Sequence, residues 1–301
     1  MKSKNLKPLV VVVGLRAESL DIEKKILAPL GCRLASGLAA DDSSLLALCR
    51  EAAGIIVGSI PRLTGPVIEK LRACRIIARA GIGTDNIDLA AAEQKGIVVT
   101  RVPDYCIEEV SDHALAFILL FARKLNLGAE VVQQGKWGIA SLRPIHPLRG
   151  ANLGVVGIGR IGAALARKAR SLGMHLLAHD PFAPEAAFRR LRAKKITLAR
   201  LLKESDYISL HAPLTPKTKG MIGAAELKRM RPGAVLVNVA RGELVKEKAL
   251  AVALNKGDIR GAGLDVLAEE PPRKDNPLVE LPNCVITPHC AWYSTVSQED
   301  L

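Results

Sequence analysis

The chain has 301 residues, of which 49% are hydrophobic and 3% aromatic, and carries a formal net charge of +13. That length accommodates two domains of ordinary size, and the apolar content excludes a disordered chain. Apolar runs such as "PLVVVVGL" (8–15) and "LAFILLFA" (115–122) fall far short of a membrane span. The opening "MKSKNLKP" leads straight into a strand-like run, without the pattern of a signal peptide. The six cysteines are scattered with no CxxC pair, which speaks against a disulfide framework or a zinc site. These features predict a cytoplasmic protein without a membrane partner or a metal. The positive charge calls for an anionic partner, and basic clusters occur at 167–170, 189–195 and 228–231. No helix-turn-helix, zinc-finger or RNA-recognition signature accompanies it, so nucleic acid is not the expected partner. Small anionic substrates and dinucleotides fit as well.

In chain order, "LVVVVGL" (9–15) reads as a strand and "LDIEKKILAPL" (20–30) as an amphipathic helix ended by Gly31. "CRLAS" (32–36) and "GIIVGS" (54–59) are strands around the capped helix 41–52. "CRIIARAG" (74–81) and "GIVVTRV" (96–102) continue the alternation, which Pro103 closes. Continuous apolar strands alternating with helices predict a parallel sheet covered on both faces. A long helix with broad apolar faces is expected over 107–125, buried or packed on a partner. A polar, irregular stretch with Trp137, Pro144 and Pro147 follows. A second series of strands begins at Asn152 and ends in "CVITPH" (284–289).

Gly157-x-Gly159-x-x-Gly162 follows the apolar strand of that series and opens an Ala-rich helix. This context fits a dinucleotide pyrophosphate lying on backbone and helix amides, although tight strand–helix packing alone also favours glycine. Asp180 ends the next strand, 18 residues after Gly162. A carboxylate there accepts hydrogen bonds from the ribose hydroxyls of NAD and repels the 2′-phosphate of NADP. The basic run 189–195 is the counter-sign, since an arginine there could receive that phosphate. Three polar residues stand at the ends of later strands: Arg241, Glu270 and His289. Ligands of open parallel sheets bind beyond those ends. Hydride transfer to a 2-oxo acid needs a cation for the carboxylate and an acid for the new alkoxide. Arginine suits the first task and histidine the second, with a carboxylate to fix the histidine tautomer and favour its charged form. Read singly, Arg241 is also compatible with a surface cap, Glu270 with a turn residue and His289 with a loop residue.

The stretches "RAGIGTDNIDLAAAEQKGIVV" (79–99), "LGVVGIGRIG" (153–162), "HAPLTPKTKGMI" (211–222), "MRPGAVLVNVARGELV" (230–245), "GAGLDVLAEEPP" (261–272) and "TPHCAWYS" (287–294) together resemble the D-isomer-specific 2-hydroxyacid dehydrogenases. They cover nearly the whole chain in a specific order. The resemblance implies an α/β fold of two domains: a Rossmann-type NAD-binding domain, 104–289, inserted into a flavodoxin-like substrate domain, 1–103 with 290–301. It implies Arg241, Glu270 and His289 as the catalytic set. It implies NAD contacts from Gly157, Gly159, Arg160, Ile161, Gly162, Asp180, Thr218, Val239, Ala240 and Asp265, the last holding the nicotinamide carboxamide. Arg79 and the backbone at Ile82–Gly83 would receive the substrate, a small 2-oxo or D-2-hydroxy acid. The helix at 107–125 resembles the family's crossing helix and implies a homodimer. "AWYS" is similar to the C-terminal binding protein branch, whose animal members are NAD-binding corepressors. That likeness implies Trp292 as a wall of the substrate pocket, with hinge packing as the alternative, and an NAD-responsive regulatory scaffold as the second functional reading. Members carry a further C-terminal helix that returns to the first domain, and this sequence stops at Leu301, soon after "STVSQEDL".

Overall fold

The computed structural model describes residues 7–15 and 19–301, so the first six residues of the opening stretch lie outside it. The chain divides into two compact units, Met1–Tyr105 with Thr295–Leu301, and Cys106–Ser294.

The first unit alternates β1 (Leu9–Val13), α1 (Asp21–Leu27), β2 (Arg33–Gly37), α2 (Asp42–Cys49), β3 (Gly54–Val57), α3 (Gly65–Glu69), β4 (Ile76–Arg79), α4 (Leu89–Gln94) and β5 (Val98–Arg101). Its strands pair in parallel in the order β2-β1-β3-β4-β5, the flavodoxin-like order. Val11, Val13, Ile55, Val57 and Ile77 are buried together with Leu45, Val67 and Ile68 from the helices. Their near-continuous burial explains why the strands lack an alternating pattern. Asp41 starts α2 in a capping box with Ser44, accepting its backbone N–H at 2.8 Å.

The second unit opens with α5 (Ile107–Arg123), followed by α6 (Leu125–Gln133). The sequence reading expected one helix through residue 125 and an irregular stretch after it. Instead Lys124 adopts a left-handed backbone, φ 51°, which ends α5 and lets a second helix restart at once. Then come β6 (Asn152–Val156), α7 (Arg160–Ser171), β7 (His175–His179), α8 (Glu185–Leu191), β8 (Lys194–Lys195), α9 (Leu198–Glu204), β9 (Tyr207–Leu210), α10 (Ala224–Arg229), β10 (Val235–Asn238), α11 (Glu247–Lys256), β11 (Gly261–Leu264) and β12 (Cys284–Ile286). The parallel sheet runs β12-β11-β10-β9-β6-β7-β8, a Rossmann arrangement whose order reverses between β6 and β9. The two-residue β8 was not expected. α12 (Thr295–Asp300) belongs to the first unit.

The return to the first unit was expected at residue 290, and it falls at Thr295. The five residues between stay with the second unit because Asp265 accepts the backbone N–H groups of Cys290 and Ala291, while Ser294 donates to Glu109. Among the described residues no helix is long and apolar enough to cross a membrane.

Candidate active site

The glycine turn joins β6 to α7. A Cβ on Gly162 would lie 2.1 Å from the Gly157 carbonyl oxygen, so that position must be glycine for helix and turn to meet. Gly159, by contrast, faces open space within 4 Å, at the N-terminus of the 12-residue α7. One glycine is there for packing and the other leaves a vacant approach to helix amides, where a phosphate is favoured. Ile161 is half-buried and Arg160 exposed on the first turn of α7.

Asp180, just past β7, accepts the backbone N–H of Ile158 with one oxygen and those of Phe182 and Ala183 with the other, at 3.0–3.1 Å. It thus ties the glycine turn to the end of the next strand. A cavity of about 310 Å³ opens there, lined by His179, Asp180, Pro181, Lys195, Ile196 and Thr197. Lys195, from the basic run, lines it while paired with Glu185 at 2.6 Å. Thr218 donates its hydroxyl to the Pro213 carbonyl at 2.6 Å, Val239 is buried, and Ala240 takes the Asn238 side chain on its N–H. Burial pushes the His211 imidazole, beside the glycine turn, down to about 4, so it is neutral near pH 7.

Arg241 follows β10, and its guanidinium donates to the Ala240 carbonyl at 2.7 Å. The next residue, Gly242, lies so close to Leu267 and Ala268 that a Cβ would stand 1.9 Å from the Leu267 carbonyl carbon. This contact brings the loop after β10 against the loop after β11. Leu267 N–H donates to Glu270 at 3.0 Å, and the second Glu270 oxygen lies 2.6 Å from His289 Nδ1. Burial alone would raise the Glu270 carboxyl. The His289 hydrogen bond and charge, the Leu267 N–H and the Arg241 charge outweigh it and hold the group below its ordinary 4.5. The structure therefore gathers all three expected catalytic side chains at the carboxyl ends of β10, β11 and β12.

His289 has a left-handed backbone, φ 52°, which is rare outside glycine. Its N–H donates to the carbonyls of Asp265 and Thr287, both at 2.9 Å. The Trp292 indole donates to the His289 carbonyl at 3.1 Å, which closes the turn from the other side. Asp265 is 2% exposed and its carboxylate accepts from Thr287 Oγ1 at 2.6 Å, Cys290 N at 3.0 Å and Ala291 N at 2.9 Å. Here Asp265 organises the histidine turn, a role its sequence context did not announce. His113 of α5 reaches Thr287 Oγ1 at 2.9 Å. Sequence reasoning passed over this residue, which follows Glu108, Glu109, Ser111 and Asp112 in the polar first turns of α5 and so does not stand out there.

Among the described residues one set, His113, Asp265 and Cys290, brings metal-ligating atoms within 4.8 Å of one another. His113 and Asp265 are engaged with Thr287, and the Cys290 thiol faces Asp265 and Thr287, which fits a hydrogen-bonded network better than a cation cradle.

Arg79 and Arg101 are register partners at the ends of β4 and β5 in the first unit. Arg79 is 9% exposed and donates to Asn86 at 3.2 Å, while Asn86 donates to the Gly58 carbonyl. Arg101 donates to the Ile82 carbonyl at 3.2 Å, and Gly83 follows in the same loop.

The family profile described as "D-isomer specific 2-hydroxyacid dehydrogenase, NAD binding domain" matches residues 115–291. The chain is 43% identical over 232 residues to a glyoxylate reductase of Korarchaeum cryptofilum, covering 75% of this chain and 69% of that one. It is 40% identical over 267 residues to a D-3-phosphoglycerate dehydrogenase of Methanocaldococcus jannaschii, covering 88% of this chain and 50% of the relative. It thus spans about half the length of the curated phosphoglycerate dehydrogenases it matches. Among solved structures, D-lactate dehydrogenase from Aquifex aeolicus with NAD and lactic acid aligns with a TM-score of 0.88 at 30% identity, covering 97% and 91% of the two chains. An acyclic imino acid reductase in complex with NADPH and D-arginine aligns with a TM-score of 0.88 at 27% identity, covering 97% and 92%. The chain belongs to the D-isomer-specific 2-hydroxyacid dehydrogenase family, with the NAD-binding domain of that family over residues 115–291.

Proposed function

We propose that this protein is an NAD-dependent oxidoreductase that interconverts a small 2-oxo acid and the corresponding D-2-hydroxy acid. The observation that carries this reading is the 2.6 Å pair of Glu270 and His289 at the carboxyl edge of a Rossmann sheet.

The residues present fit the dinucleotide, because Gly159 leaves space before α7 and a cavity opens beside Asp180. Gly157, Gly159, Arg160, Ile161 and Gly162 would hold the pyrophosphate and Asp180 the adenosine ribose. Asp265 would hold the nicotinamide carboxamide, and Thr218, Val239 and Ala240 would make further cofactor contacts. Bound there, the cofactor supplies the hydride in reduction and takes it in oxidation. Arg241 would pair with the substrate carboxylate and draw charge from the reacting carbonyl. Because Glu270 occupies His289 Nδ1, Nε2 is the ring atom left for the substrate oxygen. It gives a proton to that oxygen as the carbonyl is reduced, and removes one from the hydroxyl in reverse. Arg79, Ile82 and Gly83 are proposed as further substrate contacts, and Trp292 as a wall that selects side-chain size.

The experiment is the loss of NADH absorbance with a panel of 2-oxo acids. Glyoxylate, hydroxypyruvate and its 3-phosphate, pyruvate, phenylpyruvate and a thioether oxo acid belong in it, glyoxylate and the 3-phosphate after the names of the relatives. Turnover of one or more supports the enzyme. Tight NADH binding without any turnover would favour the regulatory scaffold, which the relatives' enzyme names do not support.

The reading includes a cytoplasmic homodimer with NAD preferred over NADP. Six free cysteines support a reducing compartment. Leu125, Val132, Trp137 and Ile139, exposed in and after α6, support a second copy as partner.

A further inference from the structure

The cluster around Asp265 carries a role for a residue on a distant helix. Thr287 has one hydroxyl proton and lies 2.6 Å from Asp265 Oδ1, a carboxylate oxygen that already accepts from Cys290 N. A carboxylate oxygen accepts, so the Thr287 proton goes there. His113 Nε2, 2.9 Å from the same Thr287 oxygen, must then be the donor. The hydrogen bonds run in one direction: His113 Nε2–H to Thr287, Thr287 O–H to Asp265, and Asp265 accepting the two N–H groups that follow His289.

We propose that His113 is a positioning residue for the reaction: through Thr287 and Asp265 it fixes the turn that presents His289, without touching substrate itself. This rests on the activity proposed above.

The helix that carries His113 is held in place on two sides. Gly263 of β11 admits Phe117 so closely that a Cβ would stand 2.6 Å from its ring. Phe117 in turn packs edge-on against the His113 ring, with centroids 4.9 Å apart. On the other side Lys168 of α7 pairs with Glu108 at 2.7 Å and Asp112 at 2.6 Å. The register of β11 with β12 places Leu264 opposite Ile286, so Asp265 and Thr287 follow side by side. A donor fixed by α5 therefore meets an acceptor pair fixed by the sheet. A freely rotating Thr287 hydroxyl would leave Asp265 with one fewer oriented donor. The positive-φ turn at His289 would then lose part of what over-determines it.

The test compares His113→Leu, which keeps bulk but removes the donor, with His113→Gln, whose amide nitrogen can reach where Nε2 lies. His113→Leu is expected to lower kcat for oxo-acid reduction roughly ten-fold with a smaller change in KM, as for loss of one oriented hydrogen bond. His113→Gln should recover most of it. Adding Thr287→Val to His113→Leu should cost little beyond Thr287→Val alone, because the two share one path. A second readout needs no activity. In a Trp137→Phe background Trp292 is the sole tryptophan, and its indole reports on the His289 carbonyl. Its emission should shift in His113→Leu and return in His113→Gln. Equal behaviour of the Leu and Gln variants, or an unshifted Trp292 emission in His113→Leu, overturns the proposal. If the unmutated protein reduces no oxo acid, the activity reading fails, and Trp292 emission alone still decides whether His113 positions the turn.

Discussion

Glu270 holds His289 Nδ1 with one carboxylate oxygen and the Leu267 N–H with the other. Both oxygens of the acid are thereby committed, and the imidazole has one orientation in which its far nitrogen is free to work. The carboxyl is held below 4.5 in the folded protein, chiefly against burial, by His289, Leu267 and Arg241. A depressed folded-state value means that the stabilisation is fully present above the unfolded value. It is lost as pH falls through the folded one. Thermal melts of the unmutated protein should therefore hold this contribution from neutrality down to about pH 4.5 and lose it below. Glu270→Gln should start lower and lack this acid-side loss. Parallel melting curves for the two proteins between pH 6 and pH 3 would contradict the pairing.

Activity should depend more steeply on the histidine itself. His289→Gln is expected to lose roughly 10²–10⁴-fold in kcat, the usual range for a general acid–base group. NADH binding, measured by fluorescence, should change little. A variant with near-normal kcat would remove His289 from the reaction.

Arg241→Gln should raise KM for oxo acids and lower kcat while leaving NADH affinity nearly intact. The expected loss is about 1.5–3 kcal/mol in kcat/KM, as for a charge-assisted hydrogen bond. A change confined to the NADH dissociation constant would make Arg241 a cofactor residue.

Cofactor choice should turn on Asp180, whose carboxylate stands beside the cavity together with Lys195. NADH should be preferred over NADPH, since a carboxylate facing a phosphate is repulsive. Asp180→Ala should narrow that preference, and Lys195, already beside the site, should help NADPH in the variant. Because Asp180 also holds Ile158 N–H, the same variant should weaken NADH binding. Equal kcat/KM for the two cofactors in the unmutated protein would refute the assignment.

Trp137 is 92% exposed and stands with Val132 and Ile139 on the segment that follows α5. Trp137→Glu should turn a dimer into a monomer in light scattering, because a charge there would be buried against the second copy. A monomer before mutation, or an unchanged dimer after it, would reject that face.

The fold was legible because parallel strands buried on both faces advertise themselves. Val155, Leu236 and Ile55 sit in apolar runs that no surface strand would carry. The glycine turn and the polar residues at strand ends were legible for a related reason. They are local in sequence, and the sheet delivers them to a common edge. What stayed hidden was set by long-range contact. His113 meets Thr287 across 174 positions, and nothing near either residue encodes the other. Asp265 reads as a ligand contact by resemblance, and only the folded loop shows it holding Cys290 and Ala291. α6 was missed because its break from α5 lies in the backbone of Lys124, a residue with no general preference for a left-handed conformation.

The left-handed backbone at residue 289 restricts which chemistry this position can host. Histidine, asparagine and aspartate tolerate such a conformation better than most side chains, and β-branched residues poorly. Of that small group, histidine alone has an unperturbed titration range near neutrality. A lysine, tyrosine or cysteine placed there would, unperturbed, titrate further from neutrality than histidine, even where the backbone admits it as it admits Lys124. The turn and the proton donor thus make one joint demand on the side chain at 289, and histidine meets both halves of it.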